Sequence, residues 1–386
     1  MKELIVNILR GENKIGENLI EVTDKKSKIL IECGVALNQT DETRRIERRV
    51  LETRYDAIIV SHSHMDHAGL LKSKVKANKI FMGKSTCELL CYTDAICKEN
   101  MEKVRYFESE KSFLIGEIEI KPYLCDHSSY DSYMIEIKKG EDTVLYTGDF
   151  RSNGRKSFAS LLGKLPSIVN TLIVEATNDK EYNHTERYLE EKALKIMQKH
   201  DKVFFLQSRL NIDRLVSFYR ATKRAEKPFI MGIGSAEIAR IGDTIPNPQG
   251  FSDCYTYLKS RANKFEYTNS KDKYKQKLIG RGQIAGMEKF SMQVMSSMGE
   301  YLEKLNSIRS LKGSALIYSM WQGYKQSASV GEFLETVTKL GIEIVELHVS
   351  GHADAQARKM LIERVNPKDV ITVHKENNVQ LYSKIL

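Results

Sequence analysis

Residues 57–67 read Ala-Ile-Ile-Val-Ser-His-Ser-His-Met-Asp-His, an apolar run followed at once by three histidines and an aspartate. A short apolar run of this kind predicts a buried strand of a parallel sheet, with the polar cluster on the loop at its carboxyl end. Ligands of open α/β sheets bind at that end of the strands. We therefore expect a binding site at residues 61–67.

The cluster has the composition of a metal site. His62 and His64 are two residues apart in an extended loop and can face one cation, while Asp66 and His67 can turn towards a second one. Neutral imidazole and carboxylate ligands suit zinc or manganese. A lone histidine is usually structural, but four polar groups crowded at a strand end bring no packing advantage. The cluster therefore predicts a metal site, with two ions favoured over one.

The composition is that of a globular protein whose 386 residues are enough for two domains. Hydrophobic residues make up 41% and charged residues 29%, and no apolar run approaches the length of a membrane span. The first residues lack the apolar core of a signal peptide, so we expect a cytoplasmic protein with no membrane partner. The six cysteines form no CxxC pair, which favours buried thiols over a thiolate metal site.

The net charge of +9 is concentrated in one segment. Residues 259–289 hold nine basic and three acidic side chains, interleaved with tyrosine and phenylalanine. This mixture is typical of a track that binds nucleic acid, although a solvated helix or loop surface accounts for the segment equally well. The candidate contacts to nucleic acid are Lys271, Lys273, Lys275, Lys277, Arg281 and, further along, Ser350.

Later apolar runs also end in polar residues. His127 follows the strand-like region after residue 113, and Asp149 follows the apolar run 143–146. An aspartate in this place can lend one oxygen to each of two cations. Glu175, His352 and His374 stand at or after three further apolar runs. A site at residues 61–67 that needs more ligands could recruit them from these positions.

The intervening elements alternate between strands and helices. Residues 4–36 predict an antiparallel hairpin, and a helix over 41–51 is predicted to begin at a cap, Asp41. A second helix, capped by Asn183 or Thr185, should run to residue 200 and open an inserted α/β region. We expect His348 on a strand over 343–349 in a structural role, and Asp354 as the cap of a helix ending near residue 365.

These motifs occur in an order that resembles a known family. HSHMDH at 62–67, His127, TGDF at 147–150 and His374 are similar to the metal-binding motifs of the metallo-β-lactamase fold. Three further motifs, at Glu175, at His352 in SGHAD and at His374 in VHKE, resemble those of the β-CASP nucleases. The resemblance extends from about residue 15 to the end of the chain.

The resemblance implies an α/β fold, specifically a four-layer αββα metallo-β-lactamase sandwich with an inserted α/β domain. The sandwich would comprise residues 1–180 and 346–386, and the β-CASP domain residues 181–345. Where the family carries an aspartate, this chain has Glu32, for which we expect a role in orienting a metal ligand.

The resemblance also implies two zinc ions, with manganese as the alternative. The seven ligands are His62, His64 and His127 for one ion, Asp66, His67 and His374 for the other, and Asp149 as the bridge. His352, oriented by Glu175, would give a proton to the leaving oxygen. Asp66 therefore joins His352 and Glu175 as a candidate catalytic residue.

The implied function is cleavage of single-stranded RNA by a two-metal phosphodiesterase. RNA-processing members of the family carry a histidine at the last motif and DNA-repair members a valine, so His374 favours RNA, with DNA as the alternative. A small-molecule metallo-hydrolase is the competitor from another class, because this fold also cleaves lactones and thioesters. The inserted domain and the basic segment argue against that competitor. The mode of cleavage stays open, and a homo-oligomer is compatible with the sequence.

Overall fold

The structure is a computed structural model that describes residues 3–12, 14–178, 181, 184–242, 245–257 and 273–375. The chain forms two compact units. Unit 1 comprises Met1–Asn183 and Gly351–Leu386, and unit 2 comprises His184–Ser350. Within the described ranges, no helix combines the length and the apolar character needed to cross a membrane.

Unit 1 contains two six-stranded sheets, with strands numbered along the whole chain. The first sheet consists, in spatial order, of β1 (Ile5–Arg10), β2 (Leu19–Thr23), β3 (Lys28–Ile31), β4 (Tyr55–Ile59), β5 (Ala77–Met82) and β6 (Val104–Tyr106). The second consists, in spatial order, of β18 (Asp369–Val373), β11 (Thr171–Glu175), β10 (Asp142–Tyr146), β9 (Ser132–Lys139), β8 (Ile118–Cys125) and β7 (Phe113–Ile115). The predicted antiparallel hairpin is confirmed in β1 to β3.

The helices of unit 1 pack on the outer faces of the two sheets. They are α1 (Asp41–Glu52), α2 (Met65–Ala68), α3 (Lys84–Tyr92), α4 (Lys98–Met101), α5 (Phe158–Lys164) and α12 (Ala355–Val365), with a 3-10 turn over Gly69–Lys72. One apolar cluster lies between the sheets, and two others fill the spaces between each sheet and its helices. The layers therefore follow the predicted αββα order.

The strand that carries the histidine motif is buried on both faces. β4 pairs in parallel with β3 and with β5, which confirms the prediction of a buried parallel strand. Because side chains alternate along a strand, Ile58 and Val60 belong to the cluster under the helices, while Ala57 and Ile59 face the second sheet. Burial on both faces explains why this run is apolar throughout.

Unit 2 is built on a single six-stranded sheet in which every pairing is parallel. In spatial order the strands are β14 (Cys254–Tyr257), β13 (Phe229–Gly232), β15 (Phe290–Val294), β12 (Lys202–Leu206), β16 (Ala315–Tyr318) and β17 (Glu343–Glu346). The helices are α6 (Glu186–Lys199), α7 (Ile212–Arg224), α8 (Ile233–Ala239), α9 (Arg281–Gly286), α10 (Gly299–Asn306) and α11 (Ala328–Lys339), with 3-10 turns over Ser296–Met298 and Gln322–Gln326. An α/β unit in this part of the chain was predicted.

Helix caps agree with the predictions in one case and differ in another. Asp354 caps α12, and its carboxylate accepts a hydrogen bond from the Ala357 amide at 2.8 Å. At α1, however, the cap is Thr40 and not Asp41, because the Thr40 hydroxyl accepts the amide hydrogen bond of Thr43 at 3.2 Å. The predicted cap was therefore one residue too late.

Two further predictions concern unit 2. Thr185 caps α6 by accepting a hydrogen bond from the Tyr188 amide, while the other candidate, Asn183, lies outside the described residues. The prediction that His348 lies on a strand is wrong, because β17 ends at Glu346 and the chain then leaves the sheet.

Candidate metal centre

The predicted ligands lie in unit 1, in loops that follow strands. α2 and the loop before it, which follows β4, carry the cluster at 62–67. The loops after β8 and β10 carry His127 and Asp149, and His374 follows β18. His352 stands three residues before α12. The fold thus brings together residues that are up to 312 positions apart.

Asp149 lies at the centre of a ring of imidazoles. Five histidine nitrogens surround its Oδ2: His67 Nε2 at 3.2 Å, His352 Nδ1 and His374 Nε2 at 3.6 Å, His127 Nε2 at 3.7 Å and His62 Nε2 at 3.8 Å. The two other predicted ligands of the 62–67 motif contact rings from distant parts of the chain: His64 Nδ1 lies 3.2 Å from His127 Nε2, and Asp66 Oδ2 lies 3.1 Å from His374 Nε2.

The possible ligand atoms fall into adjoining groups in which all atoms lie within 4.8 Å of one another. Two groups match the predicted ligand sets: His62, His64, His127 and Asp149 in one, and Asp66, His67 and His374 in the other. Two more groups overlap with them: Glu32, His62 and His67, and Asp149, His352 and His374. Each of these groups could hold a metal ion.

Several buried atoms of the cluster have no hydrogen-bond partner. Among the described residues, neither carboxylate oxygen of Asp149 nor Nε2 of His62 takes part in a hydrogen bond of ordinary geometry. Asp149 is 2% exposed and His62 is fully buried. A carboxylate buried without a partner is costly, and coordination of a cation removes that cost. The residues present therefore fit a bound metal.

Four imidazoles are oriented by neighbours that hold their Nδ1 atoms. The contacts are His62 to Ser61 Oγ at 2.9 Å, His67 to Glu32 Oε1 at 3.1 Å, His127 to the Gly351 carbonyl oxygen at 2.6 Å and His374 to Thr177 Oγ1 at 2.7 Å. Since one nitrogen of each ring is engaged, its Nε2 is left to face Asp149. Metal-binding histidines are commonly held by such outer partners, which fix the tautomer.

Glu32 occupies a left-handed backbone conformation, with φ of 63°. One of its oxygens faces His67, and the other accepts a hydrogen bond from the Ser61 amide at 3.1 Å. Glu32 is fully buried. A single carboxylate thus ties the end of β4 to a ring of the cluster, which is the orienting contact expected for this residue.

The pKa values of three histidines favour neutral rings. Burial lowers the pKa of His62 and His127 well below the usual range, and neighbouring imidazoles lower it further. Burial also lowers the pKa of His64 to about 4, although Asp66 and Asp149 oppose the shift. Metal coordination requires neutral imidazole, so no protons need to be displaced from these three rings at neutral pH.

For the two carboxyl groups of the centre, neighbouring charges outweigh the effect of burial on the pKa. Burial alone would raise the pKa of Asp149 and Asp66, but facing imidazoles, chiefly His67 and His374, hold both carboxyl pKa values below the usual range. For His67, burial would lower the pKa, but Asp149, Glu32 and Asp66 together raise it well above the usual range. The centre is thus a cluster of ionised carboxylates that attracts positive charge.

Two glycines allow the loops to approach one another. A Cβ atom on Gly34 would lie 1.8 Å from the carbonyl oxygen of Asp66. Gly148 has φ of 54°, a conformation that residues with a side chain rarely adopt, and it directly precedes Asp149. The close contact at Gly34 and the turn at Gly148 help to bring the two carboxylates to the same place.

His352 is more accessible than His62, His67, His127 and His374, which are buried. Its side chain is 22% exposed, and its Nδ1 lies 3.4 Å from Glu175 Oε1. The carboxylate of Glu175 accepts hydrogen bonds from the amides of Ala353, Phe150 and Thr177, so its position is fixed. Burial would lower the pKa of His352, but Glu175 and then Asp149 raise it to about 9. The raised pKa favours the protonated form of this partly exposed imidazole beside the cluster.

Sequence analysis missed several contacts of the centre. Thr177, Gly351 and Ser61 each hold a ring, and Asn18 Nδ2 lies 3.3 Å from His67 Nε2. Ser61 alone of the four stands beside its partner in the sequence. The other contacts join residues 49 to 224 positions apart, and no local pattern marks them.

The candidate contacts to nucleic acid lie in unit 2, apart from Lys271, which is outside the described residues. Lys275 is exposed. Lys273 forms an ion pair with Glu237 at 2.8 Å, and the Lys277 ammonium donates to the Ser252 carbonyl oxygen. The remaining two candidates are less accessible than Lys275. Arg281 stacks over the ring of Tyr301, and Ser350 is half-buried in the loop after β17.

Two family models match the chain. The model described as the metallo-beta-lactamase superfamily matches residues 17–205. The model described as a Zn-dependent metallo-hydrolase RNA specificity domain matches residues 339–381. A solved structure, described as a protein of unknown function from Enterococcus faecalis, is similar to 98% of this chain and 96% of its own chain, with a TM-score of 0.75 and 17% identity. That likeness supports the fold.

Curated relatives are similar at low identity. A Ribonuclease J from Mycolicibacterium smegmatis is 22% identical over 96% of this chain and 68% of its own length, and Integrator complex subunit 11 of Gallus gallus is 24% identical over 97% and 69%. An RNase J-like protein of Methanocaldococcus jannaschii is 27% identical over 43% of this chain, and the match spans 41% of that relative. Together with the layered fold and the two family models, these matches show that the chain belongs to the β-CASP family of metal-dependent hydrolases within the metallo-β-lactamase superfamily.

Proposed function

We propose that this protein hydrolyses phosphodiester bonds of single-stranded RNA with the help of two divalent ions, preferentially zinc. The observation that carries the proposal is the Asp149 carboxylate, which is buried, takes part in no hydrogen bond of ordinary geometry with a described residue and is surrounded by five imidazoles. A donor set rich in imidazole and carboxylate suits zinc. The names of the relatives, ribonucleases among them, support RNA as the substrate.

We assign the seven ligands as the sequence predicts. His62, His64 and His127 would hold one ion, Asp66, His67 and His374 the other, and Asp149 would contact both. When bound, two such metal ions activate water for attack on phosphorus and neutralise charge on the phosphoryl oxygens. The outer partners keep the rings oriented for this purpose, since Glu32 and Thr177 each fix a ring by its Nδ1.

His352 would donate a proton to the ribose oxygen that leaves. Support comes from its position, because it lies 3.6 Å from Asp149 and is accessible at the edge of a cluster whose other rings are largely buried. Glu175 would act as the positioning residue, since its oxygens are held by three amides while it faces His352. Proton donation by a placed side chain contributes roughly 10²–10⁴-fold to a rate.

We further propose that the predicted inserted domain, residues 181–345, contributes RNA contacts. Lys275 is an exposed cation in this region, whereas Lys273 is neutralised by its ion pair with Glu237. Cationic side chains that contact phosphates position a strand without reading its sequence. Lys275 is therefore a better candidate for phosphate contact than Lys273.

The test is a cleavage assay combined with metal analysis. Purified protein is incubated with single-stranded RNA labelled at either end and carrying a 5′-triphosphate, monophosphate or hydroxyl, and with DNA of matched sequence. We expect RNA to be cut, and the Asp149→Ala variant to lose both cleavage and bound metal. His352→Ala should keep its metal and lose roughly 10²–10⁴-fold in rate.

The control is His184→Ala, which alters an exposed histidine of unit 2 that stacks on Tyr188. It should match the wild type in both metal content and rate. Failure of the wild type to cut any RNA would refute the proposed function. A His352→Ala variant that cuts at the wild-type rate would refute the proton donor, and loss of its metal would make His352 a ligand instead.

A further inference from the structure

Trp321 and Tyr324 form an exposed pair of aromatic side chains in unit 2, directly after β16. Trp321, the single tryptophan of the chain, is 59% exposed, and Tyr324 is 50% exposed. Their ring centroids are 5.5 Å apart and the rings are perpendicular. Isolated apolar side chains are ordinary on protein surfaces, but adjacent large rings mark a contact surface.

The turn that carries these rings is anchored to two strands. The Tyr318 hydroxyl donates a hydrogen bond to the Trp321 carbonyl oxygen at 3.0 Å. The Lys325 ammonium lies over the Tyr318 ring, 4.9 Å from its centroid, and pairs with Glu346 of β17, to which Gln322 also donates. The turn is therefore held by contacts to both strands.

Gly323 allows the indole to lie close to this turn. A Cβ atom at that position would be 2.2 Å from the ring of Trp321. Any other residue would displace the ring from its place. The orientation of the indole thus depends on the residue type between the two aromatic side chains, and the turn is shaped around the ring.

The position and the surroundings indicate the kind of ligand. The turn follows the carboxyl end of a strand in a parallel sheet, which is where ligands of such sheets bind. Gln322 and Lys325 beside the rings are polar, and the charge of Lys325 is already paired with Glu346. A suitable ligand therefore has a flat apolar face and polar edges, and an unpaired nucleobase has this form.

We propose that Trp321 and Tyr324 form a stacking platform for unpaired bases of single-stranded RNA. The proposal rests on the proposed function and names residues, other than the metal ligands, that would contact the substrate. Stacking on an aromatic ring does not depend strongly on base identity, because every base has a π-face. The platform would thus add affinity without adding sequence specificity.

The single tryptophan makes the test direct, because fluorescence excited at a wavelength that tryptophan absorbs and tyrosine does not reports on this ring alone. Short oligoadenylate and oligouridylate are titrated into the metal-loaded His352→Ala protein, which we expect to bind RNA and to cut it slowly. Both RNAs should quench the fluorescence. In the same background, Trp321→Ala should bind about 5- to 150-fold more weakly, as measured by anisotropy of labelled RNA, and Trp321→Phe should retain most of the affinity.

Two readouts separate stacking from a charge effect or a general structural effect. The salt dependence of binding should keep its slope in Trp321→Ala, because no phosphate contact is lost. An oligomer without bases should bind the wild type and Trp321→Ala equally. Tyr106→Ala, which removes a ring of 52% exposure in unit 1, is the matched control and should leave affinity unchanged.

Unquenched fluorescence together with unchanged affinity of Trp321→Ala would overturn the platform. If RNA is still cut by the wild type in that case, the proposed function stands and this inference alone fails. A dimer in solution that dissociates on Trp321→Ala would instead make the rings a contact between copies of the chain, and would also overturn the proposal. If the wild type cuts no RNA, the proposed function fails first.

Discussion

Thr177→Val should weaken the metal centre although Thr177 is not a predicted ligand. The Thr177 hydroxyl lies 2.7 Å from Nδ1 of His374 and donates to the carbonyl oxygen of the same residue at 3.1 Å. His374 has φ of 56°, a left-handed conformation that is unfavourable for a residue with a side chain. One hydroxyl therefore fixes both the ring and the strained backbone of the residue that follows β18.

The size of the effect follows from what the substitution removes. Valine has nearly the shape of threonine but leaves a ring nitrogen and a carbonyl oxygen of His374 without this partner, at a cost of about 1–3 kcal/mol. Loss of the outer partner of a metal ligand typically costs about 10- to 100-fold in metal affinity or activity, which corresponds to about 1.4–2.8 kcal/mol. The two ranges agree. We therefore expect Thr177→Val to bind metal about 10- to 100-fold more weakly.

The assay is competition for zinc between the protein and a chromophoric chelator, with RNA cleavage measured on the same samples. Thr177→Ser keeps the hydroxyl and should stay close to the wild type. Wild-type zinc affinity in Thr177→Val would refute the reasoning, because it would mean that the orientation of His374 does not depend on this contact. Equal losses in the valine and serine variants would point to packing of the methyl group instead.

Three further predictions concern other parts of unit 1. Asp126→Asn should lower the free energy of unfolding by about 3 kcal/mol in chemical denaturation, because it removes the buried ion pair between Asp126 and Arg151; a loss below about 1 kcal/mol would contradict this. Gly34→Ala should reduce metal content, since the added Cβ would meet a backbone carbonyl of α2 at 1.8 Å, and full metal content would argue against that contact. Burial alone would raise the pKa of Asp24, but hydrogen bonds from Lys139 and two backbone amides lower it below 3.8. Asp24 thus contributes stability above about pH 4 that is lost as the pH falls further, so the difference in unfolding free energy between the wild type and Asp24→Asn should shrink below that pH, and a constant difference would contradict the assignment.

The fold was largely predictable because its signals are local. The apolar run 57–60 is buried on both faces, and such burial leaves a continuous apolar pattern in the sequence. Helix boundaries were harder to predict from the sequence. Thr40 and Asp41 are both residue types that cap helices well, and the backbone geometry decides that Thr40 is the cap of α1. His348 was misplaced for a similar reason, because β17 is shorter than the apolar pattern around it.

The centre was predictable only in part. The motif at 62–67 can be recognised as a metal site because four possible ligands lie within six residues. His127 and His374 are single histidines, and their role was predicted from the family resemblance. Thr177 and Gly351 have no signal at all, because each acts through one hydrogen bond to a ring far away in the sequence. Such contacts are set by the packing of the two sheets, which local sequence patterns do not encode.

The central claim is that seven side chains hold a pair of divalent ions, and metal analysis of the purified protein tests it most directly. The wild type should contain two equivalents of a divalent metal, predominantly zinc, and Asp149→Ala should lose its bound metal. A wild-type protein that stays free of metal after reconstitution, or an Asp149→Ala variant that retains two equivalents, would contradict the account.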